Sequence, residues 1–270
     1  MNIIKNNPHY KSFMSTLKVC AKHGMTGGPL KVFMNRWFDF LWFMFMVAIW
    51  YSVGSRSQVY GMSMENLFTY SLMSTAFRKQ FDIITPATSA LWEGSVIGRY
   101  TRPMHIFSSY IAETIGRYWV PTFLCYTVPM IIFMPMTFGF SASPISFLNG
   151  ALAFISLCLS ASLGFALDFI FSGIAIRMKN ACWAVNHIRE TFITLVSGAF
   201  IPFSLLPKPL GTTLALLPFG SIASAPLNIY IGKGSAPNYI FLQIFWNIIL
   251  WISAVFFYKK SEERMISFGG

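Results

Sequence analysis

Apolar positions along this chain gather in long runs, not in the short alternating patches that line a soluble core. The pattern predicts a first crossing from about Arg36 to Gly54, where Asp39 stands at i+3 from Arg36 and can pair with it at an interface. A second run opens on Gly61-Met62-Ser63, with Ser63 as helix N-cap and Asn66 at the third helical position, and fails at Arg78-Lys79. A third begins near Met104 and has its apolar body over Tyr118–Phe138, with bends expected at Pro121, Pro129 and Pro135. Glu113 and Arg117 precede that body at i, i+4, in the order that favours an ion pair. A fourth, Ile145–Ile176, is rich in Gly, Ala and Ser, the residues that let membrane helices approach closely. Asp168 lies toward its inner end, read as structural and within reach of Arg177 or water. The last third is broken. Thr191–Leu206, Leu210–Leu217 and Ser221–Gly232 are separated by Pro207-Lys208-Pro209 and Pro218-Phe219-Gly220 before a final run at Tyr239–Tyr258. Pieces this short do not span, and irregular backbone at membrane depth survives only where protein or a cavity shields it.

Two polar stretches frame these runs. Residues 1–32 contain one amphipathic helix, Tyr10–His23, with Lys11, Lys18 and Lys22 on one stripe. Tyr10, Phe13, Met14, Leu17, Cys20 and Ala21 gather opposite, with Val19 the outlier. It reads as an interfacial helix ended by the Thr26-Gly27-Gly28-Pro29 turn, or as a basic flank that only orients the first crossing. Lys79–Leu91 is mixed polar with Asp82 and Pro86, and is expected to continue as interfacial helix into Trp92–Pro103. The domain reading is a cytoplasmic interfacial segment, 1–32, and a single transmembrane domain, 33–270, with no stretch hydrophilic enough for a second, soluble domain. Roughly thirty polar residues precede the first run, too many for a secretory signal peptide.

Composition supports the membrane reading. Of 270 residues, 55% are hydrophobic and 11% charged, and 28 are Phe, more than one soluble core can absorb. At about 20 residues per crossing the length holds roughly six helices. The net charge of +11 would suggest nucleic acid in a soluble chain, but here it is the bias of Lys and Arg toward cytoplasmic loops, so no nucleic-acid partner is expected. All Lys and Arg except Arg56, Lys208 and Lys233 fall in segments assigned inside, which puts both termini in the cytoplasm and membrane lipid around the chain. The four cysteines, Cys20, Cys125, Cys158 and Cys182, have no paired spacing, so disulfides are not expected.

Catalytic patterns are missing. His9, His23, His105 and His187 have no metal-ligand spacing, and there is no GxSxG or HExxH. Gly232-Lys233 lacks both the upstream glycine and the following Ser or Thr of a phosphate loop. The chain is therefore read as a non-enzyme, with no metal and no cofactor of its own.

Three ordered patterns carry a resemblance. Trp92-Glu93-Gly94, a short apolar stretch, and Arg102-Pro103 have the order W-x-G … R-P, with Thr101 where Leu is usual. Gly61, Ser63 and Tyr70 fit G-x-S-x-x-x-x-x-x-Y. Ser197-Gly198, Pro202, Leu206-Pro207 and Leu217-Pro218-Phe219 precede the final run. In this order they resemble the ABC-2 type transporter permeases, over most of the chain from Gly61 on. The resemblance implies an all-α polytopic membrane protein of the type V exporter kind: six transmembrane helices, an N-terminal interfacial helix, and a re-entrant helix pair over about 202–232. It implies a permease subunit in a bacterial inner membrane, exporting a drug, peptide or lipid-like substrate. A second permease, identical or similar, and two copies of a cytoplasmic ABC ATPase would complete the assembly, ATP and Mg being held by the ATPase. Trp92, Glu93, Gly94, Arg99, Arg102 and Pro103 would form the coupling element of about 92–103. Pro202, Pro207, Pro218, Phe219 and Gly220 would form an outer gate or, equally, a packed plug. The alternatives are an ion-coupled secondary transporter, which the absence of an internal repeat disfavours, and a membrane scaffold without transport.

Overall fold

A computed structural model describes residues 7–54, 62–92, 97–177 and 182–267. It is 80% helical, with no strand among the described residues, so the all-α expectation holds. Ile106–Phe138, Phe147–Ala175 and Ala236–Lys260 are long and apolar enough to cross a membrane. A fourth crossing follows if Gly28–Met34 and Trp37–Ser52, bent by 49°, count as one. Large exposed side chains such as Phe133, Phe147, Phe241 and Ile252 clothe these helices, a surface that suits lipid and not water. The protein is membrane-embedded.

In chain order the helices are α1 (Pro8–Gly24), α2 (Gly28–Met34), α3 (Trp37–Gly54), α4 (Met64–Ala76), α5 (Arg78–Phe81), α6 (Ala87–Trp92) and α7 (Ile97–Tyr100). Then come α8 (Ile106–Phe138), α9 (Phe147–Arg177), α10 (Cys182–Val196), α11 (Lys208–Leu216), α12 (Ser224–Tyr230) and α13 (Ala236–Ser267). The end of the bundle that carries Arg36, Arg78, Arg99 and Arg117 is called the basic end below.

Helix α1 starts where its caps dictate: the Asn7 side chain accepts from the His9 amide, Pro8 takes the first turn, and Lys22 and His23 occupy the last. Its lysine stripe is exposed, as is the outlier Val19, while Phe13, Met14, Leu17, Cys20 and Ala21 are half-buried. That apolar face packs on the start of α8, so protein covers it. Two glycines make the crossing close. A Cβ at Gly116 would stand 2.5 Å from the Leu17 carbonyl oxygen, and one at Gly24 would collide with the Arg117 carbonyl. Pro121 has no N–H to offer that Arg117 oxygen, its partner in a regular helix, and the chain widens there into a π-helical turn, Ile115–Trp119. A second π-helical turn, Phe123–Thr127, precedes Pro129, so distortions accompany Pro121 and Pro129, whereas Pro135 lies within the α-helical stretch Val128–Phe138.

The second apolar run forms two consecutive helices, α4 and α5, in place of one continuous helix. Ser63 does cap α4, accepting from the Asn66 amide at 3.2 Å. However, α4 has 13 residues and rises about 20 Å, short of the ~30 Å of hydrocarbon. It ends at Phe77 before the one-turn α5. Every residue from Leu67 to Ala76 is buried, which makes α4 the centre of the larger core cluster with Phe43, Trp50, Tyr126, Ile222 and Leu227. Its hydroxyls serve neighbouring backbone: Tyr70 donates to the Gly198 carbonyl at 2.7 Å, Ser74 to Ala199, and Thr69 to Ser141 at 2.8 Å.

Helices α9 and α13 pack along most of their length, as the small residues of α9 allow. A polar node pins them: Gln243, fully buried, accepts from Ser156 at 2.8 Å and donates to Ser160 at 2.9 Å and to the Ser221 carbonyl at 2.8 Å. A smaller core cluster beneath it joins Ile83, Tyr110, Phe165, Phe169 and Tyr258.

Candidate functional site

Of the residues assigned to coupling, Glu93 and Gly94 lie outside the described residues and Trp92 closes α6. Arg99 does not face outward, as a partner-binding residue should. It is 9% exposed, with Nη2 2.7 Å from Glu113 and Nη1 donating to Ser109 at 3.1 Å. Its guanidinium lies 4.3 Å from the centroid of the Tyr110 ring. Ser109 and Glu113 are four residues apart on α8 with Tyr110 beside them, and a planar guanidinium fits all three. Glu113 also holds Arg117 at 3.6 Å, the i, i+4 pair read from the sequence, but its shorter bond is to Arg99. The outward groups are Tyr100, Thr101, Arg102 and Pro103, all exposed. The Arg102 amide bonds back to the Arg99 carbonyl and Thr101 to that of Gly98, so the exposed turn is braced on α8 through Arg99.

The stretch after α5 is also not interfacial. Asp82, Ile83, Thr85, Ala87 and Thr88 are buried, and the chain is irregular over Asp82–Pro86. Buried irregular backbone needs partners, and a buried ion pair supplies them. Arg189, 0% exposed on α10, bonds Asp168 on α9, itself 1% exposed, at 2.8 Å and also donates to the Ile83 carbonyl. Asp168 accepts the Thr85 amide at 3.1 Å and the Thr85 hydroxyl. Asp82 stands 3.9 Å from the other side of the Arg189 guanidinium, and Thr88 bonds Ser172 at 2.8 Å. Asp168 is structural, as expected, and its partner is Arg189; the side chain of Arg177, the partner expected from the sequence, lies outside what the structure describes. Arg189 and Glu190, read as inner-loop residues, belong to α10. Asp39 pairs with Arg36 at 3.3 Å as predicted, and with Arg78 at 3.2 Å.

These groups border a cavity of about 470 Å³ at the basic end, lined among others by Arg36, Lys79, Asp82, Arg99, Glu113 and Arg117. Burial pushes the Asp82 carboxyl up, opposed by Arg189.

The gate candidates divide. Pro202, Pro218 and Gly220 are buried, Phe219 is half-buried edge-on to Phe192 at 5.0 Å, and Pro207 is exposed. With 9 and 7 residues, α11 and α12 rise only about 14 and 10 Å, so neither spans. Phe203 is the pivot of this segment, because Gly198, Gly211 and Gly220 all close around it. Gly198 has φ +78 and breaks the chain after α10; its carbonyl and that of Ala199 accept from the Tyr70 and Ser74 hydroxyls. A Cβ at Gly220 would overlap the Leu214 carbonyl, so bulk there tests packing before gating.

The sequence reading missed Arg189 and Gln243 as organising groups. Two signals were present: an arginine two residues before the apolar run that opens at Thr191, and a glutamine inside the last run. No group of His, Cys, Asp and Glu suited to a metal occurs among the described residues. No protein-family model, curated protein or solved structure matches the chain.

Proposed function

We propose that this protein is the membrane-spanning permease subunit of an ATP-driven exporter of the ABC-2 type, working as a pair with an identical or similar permease. In this reading the six crossings are α2–α3, α4–α5, α8, α9, α10 with the broken segment after it, and α13, and the basic end faces the cytoplasm. The observation that carries the reading is the exposed turn Tyr100–Pro103, braced through Arg99 and Glu113 on a crossing helix. A rigid, outward, charged turn at the basic end is what a separate ATPase can push, and the ion pair passes that push into α8. The interfacial helix α1 is seated on the same end of α8, so both elements move with it. The short helices α11 and α12, folded about Phe203, support a re-entrant segment at the opposite end.

Arg102 replaces Arg99 as the residue of this turn that meets the partner; Arg99 holds the turn in place. The ATPase would supply ATP and Mg chemistry; this chain contributes the path and the lever. Impermeant thiol labelling tests the orientation: cysteines at Ser141 and Ser235 should react from outside intact cells, and one at Arg102 should not. Labelling of R102C from outside would overturn the proposal.

A further inference from the structure

The cavity at the basic end carries more positive than negative groups, and its charges are unequally satisfied. Glu113 is shared by Arg99 and Arg117, and Arg36 is held by Asp39. Asp82 is turned to the buried Arg189. Lys79 forms no ion pair among the described residues, yet it lines the cavity and is largely withdrawn from solvent. Asn186 also lines the cavity with an amide, as do Thr85 and Ser89, whose hydroxyls are already given to Asp168 and to the Pro86 carbonyl. The rim fixes the depth: Tyr118 and Trp183 line the cavity and are 41% and 65% exposed, and such aromatic residues settle at the headgroup level of a bilayer. A volume of about 470 Å³ is several times that of a phosphate group.

We propose that this cavity binds the phosphate of a membrane lipid headgroup, seated between Lys79 and Arg117, with the acyl chains leaving past Tyr118 and Trp183. An anion there gives Lys79 the close ion-pair partner that no described carboxylate supplies. Lipid phosphate is the anion that a bilayer presents at this depth. The site does not depend on the transport proposal, and no ATPase enters its test.

The test uses the full chain purified in an uncharged maltoside detergent and phosphate-free buffer. Short-chain phosphatidylglycerol, inorganic phosphate and diacylglycerol of the same chain length are titrated separately, and tryptophan fluorescence is followed, since Trp119 and Trp183 line the cavity. Saturable binding of phosphatidylglycerol is expected, with no saturable response to diacylglycerol. Lys79→Gln and Arg117→Gln should each weaken it roughly tenfold, the worth of one hydrogen bond to a charged group. Lys208→Gln, on the exposed α11, should leave it unchanged. Binding of inorganic phosphate as tightly as the lipid would transfer the site to a soluble phosphate and overturn the lipid assignment. Diacylglycerol binding equal to phosphatidylglycerol, or wild-type affinity in both Lys79→Gln and Arg117→Gln, would overturn the proposal entirely. Arg117 is 38% exposed and shares its carboxylate with Arg99, so its variant remains informative if Lys79→Gln does not fold.

Discussion

Replacing either member of the Arg189–Asp168 pair should destabilise the protein more than any surface charge change, and the two losses should not add. The pair is 0% and 1% exposed, and it brackets the chain break by receiving the Thr85 amide and serving the Ile83 carbonyl. Asp168→Asn keeps an oxygen for Thr85 but removes the charge opposite Arg189, leaving a buried guanidinium with only the distant Asp82. Breaking a buried ion pair on one side costs about 3–5 kcal/mol. Arg189→Met abandons both the carboxylate and the Ile83 oxygen, a similar cost. In the double variant the charge of the pair itself is gone from both sides, leaving Asp82 without Arg189 and orphaned backbone groups at about 1–3 kcal/mol each. The double loss should therefore fall short of the sum of the singles by about 2 kcal/mol or more. Reversible unfolding in mixed micelles with sodium dodecyl sulfate, followed by tryptophan fluorescence, measures all three. Single losses under about 1 kcal/mol, the range of exposed pairs, or strict additivity, would refute the bracket.

Gly116→Leu should release α1 from α8 and open it to proteolysis, while Gly98→Ala, whose added Cβ meets nothing within 4 Å, should leave digestion unchanged. Phe203→Ala should cost about 3–5 kcal/mol, because the buried ring that fills the space against Gly198 and Gly220 is lost; a loss under about 1 kcal/mol in the same unfolding assay would show the segment is loosely packed.

Local rules made much of this fold legible. The lysine stripe of α1, the Ser63 cap, the Arg36–Asp39 and Glu113–Arg117 pairs and the distortions of α8 at Pro121 and Pro129 depend on neighbours within a turn or two, and all are present. What was not legible depends on contacts far along the chain. Arg189 meets Ile83 across 106 residues and Gln243 meets Ser156 across 87, and no periodicity announces either. Arg99 shows the cost most plainly. Its sequence neighbours are polar and suggest an exposed loop, whereas α8 turns Ser109, Tyr110 and Glu113 toward it and draws it inward. The break of 62–78 into α4 and α5 was hidden for a related reason: hydropathy cannot separate a lipid-facing helix from one buried among its neighbours, as α4 is.

The central claim is that an ATPase subunit docks on the exposed turn ending at Pro103, and ATP hydrolysis by the co-purified assembly tests it most directly. The wild-type chain, isolated from its native membrane, should bring an ATPase with vanadate-sensitive turnover. Arg102→Glu should fold and express normally yet retain little of that ATPase, because reversing a charge at a desolvated contact costs about 2–5 kcal/mol. Wild-type chain that carries no ATPase, or an Arg102→Glu chain that carries a full complement with undiminished turnover, would contradict the account.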